Sequence, residues 1–264
     1  MIRTYLINKS ELEKINYSED ILSRGRREKI AKTKREDDKQ LSACAELLLI
    51  YALKKQLGQV ALPLNIEEDD RSKLQFTDIP YFFNISHANE YAVCSLSDKP
   101  IGVDIEYFRV RELSHTDRML HVEEAQMLAF ISNPNEKKKY FYECWVAKES
   151  YLKNLGIGLI VRPGDFMVRE DRLLIGKEDF SYVKGNHSVK VTIKETPEKK
   201  SSDNTLNENL NYLEKRYVHV LEPGEVRGTD WKFDAGYRLA VCSMEEDPDS
   251  ITRLIHAEDI NATL

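Results

Sequence analysis

Apolar and polar positions alternate weakly over residues 2–7, which predicts a strand able to open a sheet. Residues 24–39 are polar and highly charged, and they lead into an apolar helix over residues 43–57 that stops at Gly58. Residues 63–78, rich in acids and turn formers, read as loop. Residues 81–85 and 91–96 are rich in aromatic and β-branched side chains and predict two short strands. The turn at 97–100 leads into a further strand at 101–107, and helical periodicity returns at 122–131 and 139–155, closed by 156–163. Beyond that point the pattern is mainly β: 166–168, 172–175, 189–193, 217–221 and 237–243. Residues 195–211, dense in Lys, Ser, Asp and Asn, read as a mobile surface loop.

One pattern recurs. Ala92-Val93-Cys94-Ser95-Leu96 returns as Ala240-Val241-Cys242-Ser243-Met244, each closely preceded by a tyrosine, Tyr91 or Tyr237. A duplicated half built on an equivalent buried strand explains this, as does chance likeness between short apolar strands.

At 264 residues the chain has room for one large domain or two small ones, with a sizeable core in either case. Its 45 acidic and 39 basic residues give a net charge of −6, which argues against nucleic acid as the main partner. The first fifteen residues lack the apolar core of a signal peptide, and the longest strongly apolar stretch, 47–53, is too short for a membrane span. Cys44, Cys94, Cys144 and Cys242 are widely spaced without a CxxC, which suits reduced thiols in a core. A cytoplasmic protein is expected, with no membrane and no nucleic-acid partner.

Candidate chemistry begins at Ile101-Gly102-Val103-Asp104-Ile105-Glu106. The period of two sets Asp104 and Glu106 on one face of a strand, about 6.6 Å apart along the chain. Two such carboxylates repel each other unless positive charge lies between them, and a hard divalent cation would supply it. A solvated edge strand explains the hexapeptide equally. In the helix at 139–155, Phe141, Trp145, Leu152 and Leu155 form an apolar stripe that includes Lys148. A lysine there needs an acidic partner or a ligand. Glu149 and Lys153, four apart, flank the stripe, as helix support or as a metal carboxylate beside a phosphate-binding ammonium.

Ser86 and His87, ending a predicted strand, can donate to phosphate oxygens, although a lone histidine is commonly a surface or capping residue. The basic run Arg24, Arg26, Arg27, Lys29, Lys32, Lys34 and Arg35 is a solvated helix face or a draw for a polyanionic small molecule.

Together, Asn84-Ile85-Ser86-His87, Gly102-Val103-Asp104-Ile105-Glu106 and Trp145-Val146-Ala147-Lys148-Glu149-Ser150-Tyr151-Leu152-Lys153 resemble, in order and spacing, the Sfp-type 4′-phosphopantetheinyl transferases. Weaker similarity covers most of the chain. The resemblance implies an α+β fold of two similar α/β halves related by a pseudo-twofold, with an active-site cleft between them. The expected division is 1–103 and 104–264, the final segment packing back on the first half. The resemblance implies Mg²⁺ (or Mn²⁺) on Asp104, Glu106 and Glu149. It implies coenzyme A phosphates on Arg26, Lys29, Ser42, Ser86, His87 and Lys153, and catalysis by Glu149, Lys153 and His87. Glu149 is the best-placed base, directly or through water. The reaction implied is transfer of phosphopantetheine from coenzyme A to a serine of an acyl or peptidyl carrier protein by a monomer. The natural carrier belongs to fatty-acid, polyketide or nonribosomal-peptide synthesis.

There are departures. The Gly-Lys-Pro that the family often carries upstream of Ser-His is absent, leaving Lys73 as a stand-in, and Arg26 replaces a common lysine. Residues 195–211 and 222–234 look longer than in compact members. Residues 115–131 mix Met119, Leu120, Val122, Met127, Leu128 and Phe130 with charges, the pattern of a helix on its own core or of one docking a carrier helix. A magnesium phosphohydrolase, a coenzyme A-binding module and a pure interaction protein are the competing readings.

Overall fold

The computed structural model describes residues 1–69, 72–109, 119–156, 162–168, 173–175, 188–191, 216–244 and 250–264. The fold is mixed α+β. Strand β1 (Arg3–Asn8) is followed by helices α1 (Arg24–Lys32) and α2 (Glu36–Leu57), the short hairpin β2 (Ile66–Glu68) and β3 (Leu74–Phe76), and strands β4 (Phe82–Ala88) and β5 (Tyr91–Ser97). Then come β6 (Ile101–Tyr107), α3 (Val122–Phe130), α4 (Pro134–Leu155), the hairpin β7 (Phe166–Val168) and β8 (Leu173–Ile175), β9 (Ser188–Val191), β10 (Arg216–Val220), β11 (Tyr237–Ser243) and β12 (Ile251–Leu254).

Two four-stranded sheets form, in the orders β12-β1-β5-β4 and β6-β11-β10-β9. A similar order of elements builds each: a strand, a 22-residue helix and a short hairpin, then β4 and β5 in the first and β9, β10 and β11 in the second, with the last of these strands central in each sheet. The echo has a structural counterpart. Ala92 and Cys94 on β5 pack with α2, while Ala240 and Cys242 on β11 pack with α4. Val93 and Val241 point the other way, into a shared core with Leu6, Val103, Ile105 and Tyr237. Strand alternation thus covers each sheet with one helix and joins the two sheets through a common apolar layer. All four cysteines are buried and unpaired.

The division expected between 103 and 104 falls inside β6, all of which belongs to the second sheet; the chain changes sheets at 98–100. The final segment lies on the first sheet, with β12 pairing in parallel with β1. Helix α2 begins at Glu36 rather than near residue 43, its acidic first turn favouring a helix N-terminus. The loop expected at 63–78 contains the β2–β3 hairpin. Residues 195–211 lie outside the described residues. No helix among the described residues is long and apolar enough to cross a membrane.

Candidate active site

Strand β6 lies between two layers. Ile101, Val103 and Ile105 enter the core between the sheets, so Gly102, Asp104 and Glu106 face α4. Gly102 makes that approach possible: a Cβ there would stand 2.0 Å from the Ser150 carbonyl oxygen and 2.5 Å from the Asn154 nitrogen. The close packing brings Asp104 to Lys153, whose Nζ donates to Asp104 Oδ1 at 2.6 Å. Ser86 from β4 completes a triangle, donating to the same oxygen at 2.9 Å and accepting from Lys153 Nζ at 2.9 Å. Asp104 Oδ2, also buried, has no hydrogen-bond partner among the described residues.

The two other expected metal acids lie around this carboxylate. Glu106 Oε1 accepts from the Trp145 indole at 3.1 Å. Burial, reinforced by the Asp104 charge, pushes the Glu106 carboxyl up to about 7. Glu149 is raised by the same two causes, with Lys153 opposing them. Among the described residues no three acidic, histidine or cysteine side chains converge closely enough to hold a metal ion as they stand. The positive charge held against Asp104 is the Lys153 ammonium.

Strand β4 reaches in two directions. Ser86 turns to Asp104, and its neighbour His87 lies among the charges of Lys29, Lys153, Asp38 and Arg26. Burial first, then Lys29 and Lys153, holds the imidazole below its usual range. Lys29 is lowered by partial burial and by Arg26. Arg26 and Lys29 line a cavity of about 540 Å³ together with Ser23, Lys32, Glu68 and Leu74. The hairpin missed in the sequence therefore forms one wall of this cavity.

Arg26 is itself buried. Its Nε donates to Glu46 Oε2 at 3.0 Å and its Nη1 to Ser42 Oγ at 3.0 Å. Glu46 is fully buried and also accepts from the Ser23 backbone and, at 2.9 Å, from the Ser23 hydroxyl. Arg26 and Ser42 are thus brought together, and both belong to a network that fixes α1 to α2. Sequence reasoning missed Glu46; its one signal is an acid inside the apolar run of α2.

Two lysines have structural roles. Lys148 is fully buried, ion-paired with Glu124, and donates to the carbonyls of Met119 at 3.1 Å and Pro163 at 2.7 Å. Of the two readings open for it, the ion pair is the one formed. Lys73 donates to the Asn154 carbonyl at 2.8 Å, near the C-terminus of α4, and is drawn down to about 8 by burial.

Residues 100–196 match the family model described as the 4′-phosphopantetheinyl transferase superfamily. That stretch contains β6 and α4, the two elements that carry the acids. This part of the chain is similar to that superfamily. Over 149 residues it is 29% identical to a 4′-phosphopantetheinyl transferase of Bacillus subtilis, covering 56% of this chain and 66% of that protein. It is 32% identical over 97 residues to the 4′-phosphopantetheinyl transferase gsp of Aneurinibacillus migulanus, covering 37% and 40%. It is 24% identical over 240 residues to the 4′-phosphopantetheinyl transferase Sfp of Bacillus subtilis (strain 168), covering 90% and 89%. The first two matches span two thirds or less of the relatives' own lengths, whereas the third runs nearly end to end. The Asp104–Lys153–Ser86 triangle joins all three of the motifs singled out in the sequence.

Proposed function

We propose that this protein transfers the 4′-phosphopantetheine arm of coenzyme A to a serine of an acyl or peptidyl carrier protein, releasing adenosine 3′,5′-bisphosphate. The observation that carries the reading is the pair Ser86 and His87. One is bonded into the acid pocket at Asp104, and the other stands among Arg26 and Lys29 beside the 540 Å³ cavity. A ligand with a diphosphate and a separate ribose phosphate needs both neighbourhoods, one suited to a cation and one cationic.

Asp104, Glu106 and Glu149 are the residues to hold Mg²⁺, with Mn²⁺ as the alternative. The orphaned, buried Asp104 Oδ2 fits that role, as do two further carboxylates raised by burial and by the Asp104 charge. When bound, the ion supplies positive charge to the diphosphate oxygens. Lys153 and His87 provide donors at the same oxygens, and Arg26 and Lys29 hold the ribose phosphate. The carrier serine oxygen bonds to the pantetheine-side phosphorus as the bond to the leaving phosphate breaks, and its electron pair departs with adenosine 3′,5′-bisphosphate. The serine proton goes to Glu149, directly or through a water.

The carrier is expected at α3. Leu120 and Leu128 pack with Phe141 and Cys144 of α4, leaving Val122, Met127 and Phe130 exposed at 61%, 43% and 87%. Residues 115–118 of that stretch lie outside the described residues. We read the matching order of elements in the two sheets as a pseudo-twofold relation, and the protein as a cytoplasmic monomer.

The test is incubation with coenzyme A, Mg²⁺ and an apo carrier protein, followed by intact mass measurement. A gain of one phosphopantetheine on the carrier is expected, nearly abolished in Asp104→Ala and Glu149→Ala. Coenzyme A hydrolysis without transfer would point instead to a phosphohydrolase, and binding without chemistry to a binding module.

A further inference from the structure

The acid pocket already holds a cation of its own. Lys153 Nζ lies 2.6 Å from Asp104 Oδ1 and is steadied by Ser86 Oγ at 2.9 Å. The lysine comes from the last turns of α4, the serine from β4 and the aspartate from β6, so three separate elements must agree to form the contact. Asp104 is 4% exposed, which makes an unneutralised charge there costly. The same ammonium also acts on His87, so it stands between the acids and that imidazole. One side chain therefore faces two demands, a carboxylate inside and an anionic ligand outside.

We propose that Lys153 is an exchangeable internal counter-ion: it suppresses divalent-cation binding in the ligand-free enzyme and is drawn off Asp104 by the incoming diphosphate, so that nucleotide and metal load cooperatively. This rests on the function proposed above and adds an order of events to it. Two cations compete for one buried carboxylate, and a ligand that binds the lysine favours the metal through linkage. At the dielectric of water, a unit charge roughly 5 Å from a divalent ion changes its affinity by about ten-fold or more. The arrangement has a use, since it neutralises the buried Asp104 while no substrate is present.

The test is titration of the full chain with Mn²⁺, read by electron paramagnetic resonance, with and without coenzyme A and with no carrier present. The wild type alone binds weakly, and coenzyme A tightens binding by about ten-fold or more. Lys153→Met binds Mn²⁺ about ten-fold more tightly than wild type without coenzyme A and loses most of the coenzyme A effect. Lys153→Arg keeps the charge and stays weak. If Lys153→Met binds no more tightly than wild type while coenzyme A still tightens the wild type, the counter-ion role is overturned and the transferase reading stands. If Mn²⁺ binds under neither condition, both fall. A second measurement needs no variant. Acetic anhydride labelling of wild-type Lys153, followed by peptide mass, rises several-fold when Mn²⁺ is added; unchanged labelling overturns the proposal.

Discussion

Trp145 donates its indole N–H to Glu106 across the gap between α4 and β6, at 3.1 Å. One carboxylate oxygen of Glu106 is thereby fixed.

Removing that donor while keeping the ring's bulk should release Glu106 without unfolding the helix. Trp145→Phe is expected to lower kcat about ten-fold and to raise the Mg²⁺ concentration needed for half-maximal rate, the usual size for loss of an orienting hydrogen bond at such a site. Initial rates over a Mg²⁺ series, alongside a thermal melt, check this. An unchanged Mg²⁺ requirement would leave Trp145 a packing residue only.

Arg26 and Lys29 line the same cavity and should behave differently when truncated. Lys29→Ala is expected to raise the KM for coenzyme A about ten-fold and to shift stability by no more than about 0.5 kcal/mol. Arg26→Ala should raise the same KM and also cost roughly 3–5 kcal/mol, because Glu46 is left buried without its cation. Steady-state kinetics paired with urea melts would separate the two.

Lys148, although inside the motif, should matter for folding more than for chemistry. Lys148→Met removes the ammonium paired with the buried Glu124 and should cost roughly 3–5 kcal/mol. Lys148→Met combined with Glu124→Leu should recover most of that loss, with kcat near wild type. A double-mutant cycle of melts and rates measures both.

Lys73 provides a test of pH dependence. Burial lowers it to about 8 in the folded chain, below the ordinary lysine value of 10.5. Between those values the unfolded chain binds the extra proton, so folding stability rises with pH. The contribution is fully present above 10.5 and is lost as the pH falls through about 8. Its ceiling is roughly 3 kcal/mol. The stability of wild type relative to Lys73→Met should therefore grow between these limits, and a flat difference in urea melts would contradict the burial of the ammonium.

The sequence showed the site's elements more plainly than its wiring. Alternation at residues 101–106 foretold a strand with both acids on one face, because a period of two survives any tertiary context. The spacing of Glu149 and Lys153 likewise fixed their common flank of α4. What stayed hidden is non-local. Nothing in the hexapeptide says that Ser86 and Lys153 meet at Asp104, or that Glu124 reaches Lys148, since each contact depends on how separate elements dock. The β2–β3 hairpin escaped because three-residue strands with exposed Glu67 give no periodicity to read. The parallel pairing of β12 with β1 joins residues about 250 positions apart, and no local pattern encodes it.

The paired sheets carry one last implication. Asp104 stands opposite Ala240 in its ladder, and the position opposite Ala92, the echo of Ala240, is Ile7. Ile7 is fully buried in the apolar layer with α2. Where one sheet bears the Asp104 carboxylate, the other has filled the matching berth with hydrocarbon. On the pseudo-twofold reading proposed above, the molecule thus keeps a single acid pocket and has no such group at the equivalent place.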